Sequence, residues 1–304
     1  MSKRMRLVMS LALAIGLVGA FWIITPNMPQ VLAQGTTGEW KASLSKDNSK
    51  LQLNMGRRSE RGGHNQMGQT YEFTEFQGLS RETALNGGPV KFSLVREAGR
   101  IDFEGSFQNG KGSGTFTFTG NPSFISAMKS RGFDFEERSN DDRDDADRLF
   151  AATTLNVTTA LAHDLSSLNL GKLNTEDLFK AAIFKVDSNF VREMKASGFE
   201  NLGMEDLVKA RIFKIDAAFV REVSQMGFEK EPFESLVKMQ IFKVTPEFIA
   251  EVRNEGLSNN LPVEDIVKLR IFKIDAKFIR EAKADGVPLE VERLVQRRIG
   301  VDRH

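Results

Sequence analysis

The chain has 304 residues, of which 40% are hydrophobic and 27% charged, a composition typical of soluble proteins with one large or two ordinary domains. The 42 Lys and Arg nearly balance the 41 Asp and Glu, and a net charge of +1 gives no electrostatic reason to expect nucleic acid as a partner. The sequence contains no Cys, which excludes disulfides, thiolate nucleophiles and thiolate metal sites.

Residues 1–33 have the pattern of an export signal. Lys3, Arg4 and Arg6 precede an uncharged apolar stretch over residues 7–24, and small residues follow at the positions that a signal peptidase reads. We therefore predict cleavage before Gln34. The alternative is an uncleaved membrane anchor, since residues 7–24 are just long enough to span a bilayer. Both interpretations place the rest of the chain outside the cytoplasm. A cleaved protein would be periplasmic or extracellular, and an uncleaved one would be anchored in the membrane by residues 7–24.

Residues 34–120 are predicted to form an antiparallel β domain. Apolar and polar residues alternate with period two, most clearly over residues 115–119, and Gly-rich or polar clusters interrupt the alternation. The pattern predicts five to seven strands in a small sheet or partial barrel, with one helical turn over residues 80–85.

Two segments of this domain resemble binding motifs. Residues 110–114 look like a phosphate loop, but an alternating strand follows where such a loop needs a helix, so we predict a hairpin turn. Residues 57–64 form a basic, Gly-bearing segment that fits a solvated loop tip better than a contact with an anionic surface.

The second half repeats a capped helix six times. The copies are anchored at Phe124, Leu161, Phe190, Phe219, Phe248 and Phe278. Three residues before each anchor stands a residue that favours the helix N-cap: Asn121, Thr158, Asp187, Asp216, Thr245 or Asp275. Eight residues after each anchor stands Gly, or Asn in one copy, which favours the left-handed backbone that closes a helix. The later copies recur every 29 or 30 residues.

A second helix precedes the later copies. Two apolar residues recur in it at fixed positions. The first is Leu178, Leu207, Leu236 or Ile266, and the second, five residues later, is Ile183, Ile212, Ile241 or Ile271. Acids at its start and bases near its end suit the helix dipole. The chain ends on one more copy of this helix, polar enough to cap an array. A single unit buries too little apolar surface to offset the entropy of ordering it, so the units must stack into a solenoid or compact array.

The predicted organisation is therefore α+β: a small antiparallel sheet or partial barrel followed by helical hairpins. Residues 121–133 are the first helical copy, which joins the halves, residues 134–148 are an acidic linker, and residues 149–304 are the tandem repeats. In the linker, Asn140, Asp142 and Asp144 have the spacing of a calcium loop, but the required Gly and Glu are missing. We predict a solvated linker and no metal site.

The motif Ile-Phe-Lys recurs in four successive units. We expect its Phe to be a core residue. Its lysines, Lys185, Lys214, Lys243 and Lys273, are called the Lys column and are the candidate binding residues, because stacked units would align them along one edge facing an acidic protein or an anionic envelope component. The alternative is that they only complement helix C-termini, or that recent duplication of the unit has not yet erased them.

No catalytic constellation is present in the sequence, so we expect a protein that is not an enzyme and needs no cofactor. We predict an exported binding or scaffold protein, with contact to a membrane only through an uncleaved N-terminal segment. Two alternatives stay open: an envelope hydrolase that uses carboxylates in the β domain, and an anchored accessory subunit of a membrane sensor.

The repeats resemble a known group. The strings at residues 236–241 and 244–249, and the stretch 114–122 running into Phe124, are similar to repeats in uncharacterised exported bacterial proteins, also appended to membrane sensors of the β-lactam antirepressor metalloprotease type. The resemblance covers most of the chain from Glu39 onward. The sensors' zinc motif and bundle of membrane helices are missing from the sequence, so no protease or sensor role carries over. What the resemblance implies is a bacterial envelope context.

Overall fold

A computed structural model describes residues 36–58, 64–136 and 145–301. It confirms the α+β class: a seven-stranded antiparallel sheet curled into a half-barrel precedes an array of helices. The predicted export signal and the calcium-like spacing lie outside the described residues. Within the described ranges no helix is both long and apolar enough to cross a membrane. Residues Gln34–His304 form one compact unit.

The strands occupy most of the first half. They are β1 (Thr36–Leu44), β2 (Lys50–Arg58), β3 (His64–Glu72), β4 (Phe76–Gln77), β5 (Gly88–Arg96), β6 (Gly99–Gln108) and β7 (Lys111–Gly120), in the spatial order β3-β2-β1-β7-β6-β5-β4. The predicted helical turn is α1 (Arg81–Asn86), whose first turn is capped by the Ser80 side chain. The predicted hairpin is confirmed, since β6 and β7 pair directly around the turn at Asn109 and Gly110.

The sheet core is centred on Trp40, which is 1% exposed. Its indole meets the rings of Phe92 at 5.4 Å and Phe107 at 5.6 Å, and its Nε1 donates to the Glu104 carbonyl at 3.1 Å. Gly112 is needed beneath the indole, because a Cβ there would lie 2.8 Å from the Trp40 ring. Within the segment that resembles a phosphate loop, Gly112 therefore makes room for buried aromatic side chains, and Gly114 makes room for the backbone of β6 at Glu104.

The helices follow in chain order. They are α2 (Pro122–Lys129), α3 (Asp145–Leu155), α4 (Thr159–Ser166), α5 (Thr175–Phe184), α6 (Ser188–Ala196), α7 (Met204–Ile212), α8 (Ala217–Gln225), α9 (Phe233–Ile241), α10 (Pro246–Asn254), α11 (Val263–Ile271), α12 (Ala276–Ala284) and α13 (Val291–Arg298). We call α3, α5, α7, α9, α11 and α13 the A helices, and α4, α6, α8, α10 and α12 the B helices. The A helix of the first unit, α3, was missed in the sequence.

The predicted caps are confirmed in all six copies. Each N-cap side chain accepts a backbone N–H of the first turn, for example Asp216 from Phe219 at 2.9 Å and Thr158 from Leu161 at 3.1 Å. Each closing residue has a positive φ: Gly132, Asn169, Gly198, Gly227, Gly256 and Gly286. The helix boundaries therefore follow from local side-chain and backbone chemistry.

Helix α3 ties the array to the sheet. Phe150 stacks on Phe116 of β7 with ring centroids 5.4 Å apart, and the Tyr71 hydroxyl donates to the Thr154 carbonyl at 3.1 Å. The Arg148 guanidinium donates to the Phe135 carbonyl at 2.9 Å. Phe135 is fully buried, so the ends of the range 134–148 pack on the core, while residues 137–144 lie outside the described residues. The domain boundaries stay a prediction.

The basic segment at residues 57–64 is only partly a loop. Arg57 belongs to β2, is buried, and pairs with Asp147 of α3. His64 begins β3, and residues 59–63 lie outside the described residues. Arg57 is therefore a contact between sheet and array.

Candidate functional site

The Lys column lies where the A helices end. Lys185, Lys214, Lys243 and Lys273 have φ values of 57°, 55°, 54° and 52°, which is left-handed backbone. The next residue in each unit donates its N–H to a carbonyl of the helix and is buried, as Ile215 does to Ala210 at 2.7 Å. Each lysine therefore occupies the turn that reverses the chain between an A helix and the following B helix.

The same turn is made by other residues at the two ends of the array. Asn156 follows α3 with φ 55°, and Gly300 follows α13 with φ 74°. Asn and Gly are the residues that adopt this conformation most easily, whereas other residues with a Cβ pay about 1–2 kcal/mol for it. The backbone requires a left-handed residue at this position but does not require lysine.

The four ammonium groups of the Lys column are exposed to solvent. Across the described ranges none of them has an ion-pair or hydrogen-bond partner. The N-cap acids Asp187, Asp216 and Asp275 lie two residues further on, but their carboxylates accept N–H groups of the B helices at 2.8 to 2.9 Å. The structure thus brings the four predicted lysines to equivalent turns. In three of them the neighbouring acid already serves as a helix cap, and beside Lys243 the cap is Thr245.

A different set of cations holds consecutive units together. The residue before the A-helix isoleucine reaches back to the A-helix C-terminus of the preceding unit: Arg270 Nε donates to the Phe242 carbonyl at 2.9 Å, and Arg298 donates to the Lys273 carbonyl. Arg270 also lies over the Phe248 ring, 4.7 Å from its centroid. Free carbonyls at a helix end attract cations, so each such residue closes the helix before it.

The acids predicted to serve the helix dipole also link consecutive units. Lys209 binds Glu234 of the next A helix at 2.7 Å, and Lys238 binds Glu264 at 2.6 Å. Lys180 with Glu205 and Lys268 with Glu292 are the equivalent pairs. The carboxylate hydrogen bond raises the pKa of Lys209, Lys180 and Lys268. We call these four pairs the ion-pair ladder; they place successive A helices side by side.

The isoleucines of the A helices are not core residues. Ile183, Ile212, Ile241, Ile271 and Ile299 are 49%, 51%, 47%, 46% and 54% exposed, and we call these five the Ile column. The neighbouring leucine column, Leu178, Leu207, Leu236 and Ile266, is fully buried as an amphipathic helix requires. The Phe of the Ile-Phe-Lys motif is half-buried against the core in each unit. Apolar periodicity alone did not reveal this exposure, although the recurrence of Ile at one position in each unit is visible in the sequence.

Catalytic features are sparse in the parts of the chain that are described. The carboxyls with a shifted pKa are exposed: Asp47, lowered by hydrogen bonds from Ser45 and Ser49 in a turn, and Glu82 and Glu247, lowered by hydrogen bonds in helix first turns. A general acid needs the opposite shift. The described residues contain no group of three His, Asp or Glu placed to hold a metal ion.

The grooves between B helices are shallow, and the one between α8 and α10 mixes charged side chains with Met226, Pro246 and Ile249. Another lies between α10 and α12, where Arg280 binds Glu255 at 2.5 Å across the groove. The recurring features that remain are the Ile column and the Lys column. Comparison of the chain with protein-family models, curated proteins and solved structures gives no match.

Proposed function

We propose that this chain is an exported, non-enzymatic scaffold protein whose helical array binds another envelope protein through the edge where the A helices end. The observation that carries the proposal is the repetition of one exposed apolar residue and one unpaired cation in successive units. Monomeric proteins seldom expose apolar side chains in a continuous row unless the row is used.

The Lys column supports the same proposal. Its backbone position is served by Asn156 and Gly300 elsewhere in the array, at lower conformational cost. Lysine in four consecutive units therefore points to a use for the ammonium group, and an exposed cation without a partner is available to an acidic surface.

Affinity capture from a native envelope extract tests the proposal. The bait is residues 34–304, compared with a variant in which all four residues of the Lys column are changed to Glu. Retention of a specific partner by the first bait and its loss by the second is the expected result. Failure of the unchanged array to retain any partner would overturn the proposal and favour the hydrolase alternative, to be examined with glycan and ester substrates.

The location of the mature protein is a separate proposal. Intact-mass measurement of the protein from the producing cell distinguishes a chain that begins at Gln34 from one that retains residues 1–33. The first result supports a free exported scaffold, whereas the second supports an anchored accessory subunit.

A further inference from the structure

The Ile column and the lysines near it form a stripe that runs across the C-terminal ends of successive A helices. Each isoleucine lies within one residue of the end of an A helix, and in four of the five units the residue three positions before it is a lysine of the ion-pair ladder. Residues three apart are neighbours on a helix surface. The Lys column lies two residues beyond the isoleucines. The stripe is therefore one apolar side chain wide, with lysines on both sides.

The area of the stripe limits what covers it. Five half-exposed isoleucines present on the order of 400 Å², the size of the largest apolar patch on ordinary monomers, which is often functional. A stable interface between two folded proteins needs about 800 Å² from each partner. A second copy of this chain or another globular domain would need much more surface than the stripe offers, whereas a single extended segment covers a narrow line.

The unpaired charges of the stripe favour an acidic ligand segment. The lysines of the ion-pair ladder are matched by its four Glu and, in three units, also by Asp177, Asp206 and Asp265. Among the described residues, the cations of the stripe that have no ion-pair partner are therefore the four of the Lys column. The three Asp on the same edge are engaged as helix caps. Carboxylates between the apolar residues of a ligand would meet the Lys column at each unit.

The spacing of the units determines which backbone conformation of the ligand segment fits the stripe. Helices packed side by side are about 8–10 Å apart, which sets the distance between successive isoleucines. A polyproline II helix has three residues per turn and rises about 3.1 Å per residue, so every third side chain lies on one face about 9 Å apart. A β-strand places every third side chain on opposite faces and does not match.

We infer that the Ile column is the docking site for an extended, acidic segment of another protein in polyproline II conformation, with an apolar side chain at every third position. This inference rests on the proposed function and specifies the chemistry of the partner. A half-buried Phe directly follows four of the five isoleucines along the chain, and its exposed part adds apolar surface to the site.

A fluorescein-labelled 15-residue peptide of five Leu-Glu-Pro triplets tests the inference, with fluorescence anisotropy as the readout and the exported form beginning at Gln34 as receptor. Saturable binding is expected, weakened at least tenfold when Ile212, Ile241 and Ile271 are all changed to Ser. These positions are half exposed, so the fold is expected to survive. The control is Val95→Ser, which removes an exposed apolar side chain of the sheet, 39% exposed, and should leave binding unchanged.

Three further peptides separate the parts of the inference. Replacing Leu by Ser, or Glu by Lys, should abolish binding, because each removes one of the two kinds of contact. A peptide of the same composition with irregularly spaced Leu should bind at least tenfold more weakly. Equal binding of the regular and irregular peptides, or no saturable binding of either, would overturn the inference.

Two other occupants give distinct results that would also overturn it. Sedimentation of the protein with vesicles of anionic phospholipid, lost in the Ile212, Ile241 and Ile271 triple variant, would identify a membrane surface. A dimer that the same triple variant dissociates would identify a second copy of the chain. Capture of a folded envelope partner without peptide binding would leave the proposed function standing and remove only this inference.

Discussion

Replacing lysine by glycine in the Lys column is expected to stabilise the protein. Left-handed backbone costs a residue with a Cβ about 1–2 kcal/mol, while glycine adds about 0.5–1 kcal/mol of backbone entropy to be lost on folding. Lys214→Gly should therefore raise the free energy of unfolding by about 0.5–1 kcal/mol. The four positions are about one unit apart and share no partners, so the effects should add to about 2–4 kcal/mol.

Urea denaturation followed by circular dichroism measures this effect, provided that the slope of the transition is unchanged. Lys214→Ala is the matched control, because alanine removes the ammonium group but keeps the Cβ, and it should leave the midpoint nearly unchanged. Lys214→Val should lower it, because a β-branched residue fits left-handed backbone poorly. Equal midpoints for the Gly and Ala variants would refute the reasoning, because they would show that removing the Cβ relieves no backbone strain at this position.

Four other substitutions each test one contact that stabilises a helix or joins it to its neighbour. Arg270→Ala should cost about 2–3 kcal/mol in urea denaturation, since it removes a charged hydrogen bond and a cation–π contact; Arg270→Lys should recover part of it. Asp216→Ala should cost about 1 kcal/mol as the loss of an N-cap, measured in the same way. Tyr71→Phe should cost about 1 kcal/mol and lower the thermal midpoint, because it removes the hydrogen bond between sheet and α3. The hydrogen bond from Glu234 raises the pKa of Lys209 above its ordinary value of 10.5. The ion pair therefore stabilises the folded protein below pH 10.5, and this stabilisation is lost as the pH rises through the raised pKa of the folded state. Glu234→Gln should be destabilising at neutral pH, and its difference from the unchanged protein should disappear well above pH 10.5.

The parts of the fold that depend on local chemistry were predictable from sequence. The caps at Asp187 and Gly198 act within one helix, and their residue types leave few alternatives. The strand alternation around Phe116 and Phe118 was equally direct, because one face of an antiparallel strand is buried and the other is not.

Features that depend on neighbouring units were not predictable in the same way. Arg270 carries a charge that suits the C-terminal end of its own helix, and only the stacking of units shows that it closes the preceding one. Helix α3 was missed because the Ile-Phe-Lys motif of the later units is replaced by Thr-Leu-Asn at residues 154–156, although Leu149 and Val157 stand one repeat before Leu178 and Val186. Asn156 stands 29 residues before Lys185 and was the signal that could have located the helix, since both residues make the same left-handed turn.

The Ile column shows that an apolar residue recurring in each unit can be either buried or exposed. Leu207 and Ile212 are both apolar and recur together, yet five residues along a helix correspond to 500°, so they point about 140° apart. One face cannot bury both columns. The buried leucines therefore explain stability, and the isoleucines need another explanation. The Lys column poses the same question for charge, because the backbone would accept Asn or Gly. Two neighbouring columns, each retained against what folding alone would favour, are most simply explained by a ligand that contacts both.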